Sequence, residues 1–203
     1  MAYPTATTPK VETPKGAAIF MVLAVALLWA LEIIDMLLLG ALDQLGVHAR
    51  EPMGWVGLFF APFLHAGFGH LLANTIPLLV LGFLILVGRG GSFRLAWSTL
   101  VSAVSSGIAA WILTPMHTLV VGASGVVFGW LTYLIARGFF ARDVKSILIS
   151  IFVFFVYGSV LWGVFPTQIG VSWQAHLGGA VGGILAAWLA HRRAARRQAV
   201  TGL

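Results

Sequence analysis

The chain has no cysteine, which excludes disulfides and thiolate metal ligands at once. Charge is almost as scarce: six acidic and twelve basic side chains in 203 residues, 9% of the total. Soluble domains carry about 25% charged residues, so this composition excludes an ordinary soluble domain. Long polar stretches are also missing beyond the first fifteen residues. In their place, hydrophobic residues make up 60% of the chain and apolar runs recur along nearly its whole length. The expected fold class is an all-α polytopic membrane protein. Neither an internal repeat nor a second domain is visible.

Residues 1–15, rich in Thr and Pro with Lys10 and Lys15, read as a short polar, disordered leader. The apolar run from Gly16 to Leu42 is too long for a signal-peptide core and reads as a first span. Asp43 to Leu64 is interrupted by Gly46, Pro52, Gly54, Gly57 and Pro62, and is expected as an interfacial or re-entrant loop between the first and second spans. Five further spans are expected over Gly69–Val87, Phe93–Leu113, Gly122–Phe140, Ile147–Phe165 and Gln174–Ala190. At ~1.5 Å per residue each crosses most of a ~30 Å hydrocarbon core. The membrane domain is thus set at 16–190, followed by a basic tail over 191–203. Eleven of the twelve basic residues fall in the leader, two alternate loops and the tail, and only Arg50 lies on the other side. By the positive-inside rule both termini are cytoplasmic. The net charge of +6 is a topology signal, and no nucleic-acid partner is implied.

With that topology, the second, fourth and sixth spans all begin at the extracytoplasmic face. Each carries its unusual polar residues in its first turns: His70 and Asn74, Ser124, and His176. Polar groups at that depth are costly and mark function. Ser124 stands in Gly122-Ala123-Ser124-Gly125 at a helix start, where free N–H groups stabilise negative charge. Gly125 and Gly129, and Gly179 and Gly183 with Gly178 and Gly182 beside them, form small-residue faces that let helices approach closely. His176 can then accept the Ser124 proton, and the Ser124 N–H, Asn74 and His70 can stabilise an oxyanion. Phe128, one turn below Ser124, is placed to pack on the imidazole. No carboxylate falls at this depth in these three spans, so a dyad is expected rather than a triad.

These features resemble the rhomboid intramembrane serine proteases. The resemblance rests on Gly122-Ala123-Ser124-Gly125, His70-Leu71-Leu72-Ala73-Asn74, and Ala175-His176-Leu177-Gly178-Gly179 with Gly183, in that arrangement on the second, fourth and sixth spans. It covers about residues 17–190. It implies a six-helix bundle with a Ser124–His176 dyad and a water-filled cavity gated by the fifth span and the loop before the sixth. The implied substrates are transmembrane segments of other proteins, cut near the outer boundary. His65 matches a second family histidine. Two positions depart from the pattern: Trp55 is followed by Val56 where a Trp-Arg pair is usual, and Phe128 stands where Tyr is frequent.

Glu32 and Asp35, three apart on the first span, leave a small transporter as one alternative, with Asp35 otherwise anchored by donors such as Trp55 or Arg50. A catalytically silent rhomboid-like protein that binds membrane clients is another. Ser102, Ser105 and Ser106 read as helix-packing serines. His65, His70 and His176 lack a carboxylate or thiolate companion, so neither a metal nor a cofactor is expected. The expected setting is a bacterial plasma membrane, with membrane-protein substrates and the lipid bilayer as partners. The oligomeric state is left open.

Overall fold

The computed structural model describes residues 11–166 and 170–201, with Arg89 and residues 197–201 described by backbone alone. Among the described residues seven α-helices form a bundle: α1 (Pro14–Leu37), α2 (Gly54–Phe60), α3 (Phe68–Leu86), α4 (Gly91–Leu113), α5 (Ser124–Ala141), α6 (Val144–Tyr157) and α7 (Trp173–Thr201). The same described residues include four two-residue strands in two antiparallel pairs. β1 (Val11–Glu12) pairs with β3 (Gly88–Arg89), and β2 (Val47–His48) with β4 (Leu119–Val120). Among the described residues five helices are long and apolar enough to cross a membrane: α1, α3, α4, α5, and α6 with its continuation to Val164. α7 is not one of the five, since Gln174, His176 and Gly178, Gly179, Gly182 and Gly183 dilute its apolar run.

The polar leader departs from expectation. Residues 1–10 lie outside the described residues, but Val11 and Glu12 are paired strand, and the Thr13 side chain caps α1 by accepting the Gly16 N–H at 3.1 Å. Pro14 follows in the first turn, where its missing N–H costs nothing. Along α1 the buried positions are Ala17, Met21, Val25, Leu28, Glu32 and Asp35, a stripe at three- and four-residue spacing that packs on α3. Asp35 is indeed anchored, but not by Trp55 or Arg50. Its Oδ1 accepts the backbone N–H groups of Leu42 (2.6 Å) and Asp43 (3.3 Å), closing the turn that ends the helix.

The fifth span also differs. The α-helix stops at Tyr157 and the chain tightens into a 3-10 helix over Gly158–Val164. α6 and its continuation are the bundle's outliers, with most of their side chains exposed or half-buried, whereas most of those of α5 are buried. α5 is therefore the central helix. Ser102 and Ser106 of α4 press against Gly129 and Gly125 on one side of it. On another side, the missing side chains of Gly179 and Gly183 let α7 lie directly on the α5 backbone at Gly125 and Gly129. Gly178 and Gly182 serve the same purpose against α4 at Ser105 and Ser102. Thr132 Oγ1 completes the seam by donating to the Ala180 carbonyl at 2.7 Å.

α7 runs without interruption through the expected tail, so the basic residues from Arg192 onward extend the same helix. At the opposite end, the segment between α1 and α3 holds the turn before α5. The β2–β4 pair is one tie, and the Gly122 N–H donates to the Ala61 carbonyl at 2.9 Å as a second.

Candidate active site

Ser124 is the first residue of α5, and the turn before it depends on Gly122. Gly122 has φ +129°, a conformation that residues with a Cβ rarely adopt. A Cβ there would also lie 2.6 Å from His70 Cε1. The glycine therefore shapes the turn and lets the His70 ring close on it. Ala123 N–H, one of the four donors that a helix start leaves unpaired, is taken by His65 Nε2 at 3.4 Å. His65 is buried, stands outside the spans, and meets His70 edge-on at 5.3 Å. Burial, with the neighbouring His70 adding to it, lowers its pKa to about 4, so it is neutral and can accept through Nε2.

His176 lies in the first turn of α7, which begins with the Ser172 hydroxyl accepting the Ala175 N–H at 3.3 Å. Its Nε2 is 2.8 Å from Ser124 Oγ. Its Nδ1 is 2.9 Å from the carbonyl oxygen of Gly163, in the 3-10 segment. A carbonyl can only accept, so Nδ1 carries the hydrogen and Nε2 presents its lone pair to the serine hydroxyl. Phe128 stacks on the same imidazole, with ring centres 4.1 Å apart and planes 12° from parallel. The ring is thus held on both an edge and a face.

His70 and Asn74 stand one turn apart on α3. Asn74 is buried, and its Nδ2 donates to the His70 carbonyl at 3.1 Å, leaving the second amide hydrogen for another acceptor. Ser124, His176, His70, Asn74, Gly122, Gly125 and Phe128 all line one cavity of about 960 Å³, and among the described residues no carboxylate lines it. Gly179 and Gly183 are not on its wall; they set the α5–α7 distance. Glu32 and Asp35 lie away from it on α1. Sequence reasoning missed the Gly163 carbonyl and the Ala61 and His65 ties to the turn. Backbone acceptors carry no sequence signal, and the residue number of His65 alone did not show what it would hold.

A profile described as Rhomboid domain matches residues 52–193. The chain belongs to the rhomboid family. It is an integral membrane protein, a polytopic helical bundle of that family's kind. Among similar proteins, the uncharacterized protein Rv1337 of Mycobacterium tuberculosis is 43% identical over 173 residues, 81% of this chain and 71% of that protein. Rhomboid-like protein 11, chloroplastic, of Arabidopsis thaliana is 29% identical over 66% of this chain and 52% of its own length. YdcA of Bacillus subtilis, a candidate rhomboid protease by name, is 27% identical over 76% of this chain and 75% of its own.

In this rhomboid the loop before α3 is held without a Trp-Arg pair. Trp55 packs on Trp111 of α4, with ring centres 4.8 Å apart. Trp111 Nε1 donates to the Glu51 carbonyl at 2.9 Å, and Arg50 Nε donates to the Ile112 carbonyl at 3.2 Å. Arg50 is thus bound to the end of α4 rather than standing next to Trp55.

Proposed function

We propose that this rhomboid is an intramembrane serine endopeptidase that cleaves transmembrane segments of other membrane proteins. The observation that carries the reading is the 2.8 Å contact between Ser124 Oγ and His176 Nε2 inside the cavity. His176 Nε2 takes the Ser124 proton as Oγ bonds to the scissile carbonyl carbon. The Gly163 carbonyl, at Nδ1, favours the imidazolium that results. The developing oxyanion meets the Ser124 N–H, the free Asn74 amide hydrogen and His70. Collapse breaks the C–N bond, and His176 returns its proton to the leaving amine. Water, activated by the same imidazole, then hydrolyses the ester and restores Ser124.

The distribution of basic residues supports cytoplasmic termini, with α7 as the sixth span and the cavity opening on the outer side. Ser124 and His176 lie within the first turn of their helices, so the cut falls in the outer few residues of a substrate span or just outside it. A substrate helix must unwind to expose its peptide bond, and Gly (~1 kcal/mol) or Pro (~3 kcal/mol) near the bond lowers that cost. The test is purified protein incubated with a panel of labelled single-span substrates. Ser124→Ala and His176→Ala should each abolish cleavage while the fold persists, because the pair acts as a unit. Wild-type cleavage by Ser124→Ala would end this reading. Mass spectrometry of the products should place the cut in the outer part of the span.

A further inference from the structure

α7 has two unlike faces. Its glycines are buried against α4 and α5, while Val181, Ile184, Leu185 and Trp188 form a stripe on the opposite side. These four are 54%, 48%, 41% and 38% exposed, and with Phe140 from the end of α5 they line a groove of about 280 Å³ on the outside of the bundle. The groove ends in cations. Four residues beyond Trp188, the Arg192 guanidinium sits over its ring, 4.6 Å from the centre. His191 stacks on Phe140 beside it, with centres 6.0 Å apart. Among the described residues Arg192 has no carboxylate partner. Arg193 over Trp97, Arg196, Arg142 and Lys145 add positive charge at the same end of the bundle.

We infer that this groove binds one anionic phospholipid, its acyl chain along Val181–Trp188 and its phosphate on Arg192 with His191 beside it. Charge complementarity selects this occupant. The site is apolar along its length and cationic only at the end, which is the polarity profile of an anionic lipid standing in the leaflet. From Val181 to Trp188 is about 10 Å of helix at ~1.5 Å per residue, a wall for a chain to lie against. Trp188 marks the boundary between the two zones, the depth indoles favour. A second copy of this chain fits poorly. A two-fold contact through this stripe would bring Arg192 against its own copy at the basic end. The guanidinium's several donors in a rigid fork suit phosphate oxygens.

The test is Trp188 fluorescence in vesicles containing phosphatidylglycerol or phosphatidylcholine with brominated acyl chains, the Trp188 component being isolated by difference from Trp188→Phe. Half-quenching should need about fivefold less phosphatidylglycerol than phosphatidylcholine, the effect of one basic group at an anionic surface. Arg192→Gln should erase that difference. Lys15→Gln should keep it, because Lys15 is at the basic end on α1, which packs on α3 and not on this groove. Equal quenching by both lipids in the wild type, or a preference retained by Arg192→Gln, overturns the site. So does protection of Trp188 from both lipids, the sign of a second copy covering the groove. Ser124→Ala should behave as wild type here, so the outcome is independent of the protease reading.

Discussion

Gly163 and His176 are joined on the edge of the imidazole away from Ser124, 2.9 Å from carbonyl oxygen to Nδ1. The link ties the fifth span to the Ser124–His176 pair, since Gly163 lies in its 3-10 continuation. A Cβ on Gly163 would lie 2.7 Å from Phe128 Cζ and 3.3 Å from His176 Nδ1. Those two rings are already stacked, so neither yields without moving the other. Gly163→Ala should lower kcat by roughly tenfold or more, the scale of positioning effects, with little change in KM. An unchanged kcat would show that the imidazole is held by Phe128 alone.

Asn74 offers a second test of the cavity. One Nδ2 hydrogen is committed to the His70 carbonyl, so only the other can serve a reacting oxygen. Asn74→Ala should reduce kcat about ten- to a thousandfold, the range for losing one oxyanion donor, with KM little affected. A loss confined to KM would instead give Asn74 a substrate-binding role.

Much of this arrangement was legible in the sequence because intramembrane polar residues have so few bland uses. Ser124, His70, Asn74 and His176 stood out against apolar runs, and the structure brings them to one cavity. The glycine spacing of α7 likewise foretold close packing on α5. What was not legible came from the backbone. The Gly163 carbonyl, the strand pairs of two residues and the 3-10 tightening after Tyr157 leave no periodic pattern of their own. The serine partners of Gly125 and Gly129 were seen as packing residues, but which helix faces which glycine depends on rotation that spacing alone does not fix.

The α5–α7 seam makes a stability prediction. A Cβ at Gly183 would run into the Gly129 carbonyl and Thr132 Oγ1, both fixed by the seam itself. Gly183→Ala should destabilise the bundle by about 1–3 kcal/mol, the usual cost of overpacking. Gly69→Ala is the matched control: nothing lies within 4 Å of its Cβ, and it sits in the first turn of α3. Denaturant unfolding in detergent should show Gly69→Ala equal to or above wild type. Equal stability of both variants would mean that α7 can shift outward freely.

The last prediction concerns pH and the histidine that holds the turn before Ser124. His65 is 1% exposed, accepts the Ala123 N–H, and has its pKa lowered from 6.5 to about 4 by burial and by His70. Between those values the unfolded chain binds a proton that the folded chain refuses. Stability therefore rises with pH through this window, and its His65 component is lost as pH falls from 6.5 toward 4. The difference in pKa corresponds to about 3 kcal/mol at most. Asp43 works in the opposite sense. Burial and the nearby Asp35 and Glu32 raise its pKa from 3.8 to about 6, so its contribution is present at low pH and fades as pH rises through 6. The two partly cancel in wild type, which is why a variant is needed. His65→Gln keeps a side-chain acceptor for the Ala123 N–H but does not titrate. Subtracting its unfolding free energy from wild type, pH by pH, should leave a positive slope between 4.5 and 6.5 and a plateau above. Parallel curves across that range would mean that His65 is as easily protonated in the fold as outside it, and would remove its hold on Ala123 from the account of the Ser124 turn.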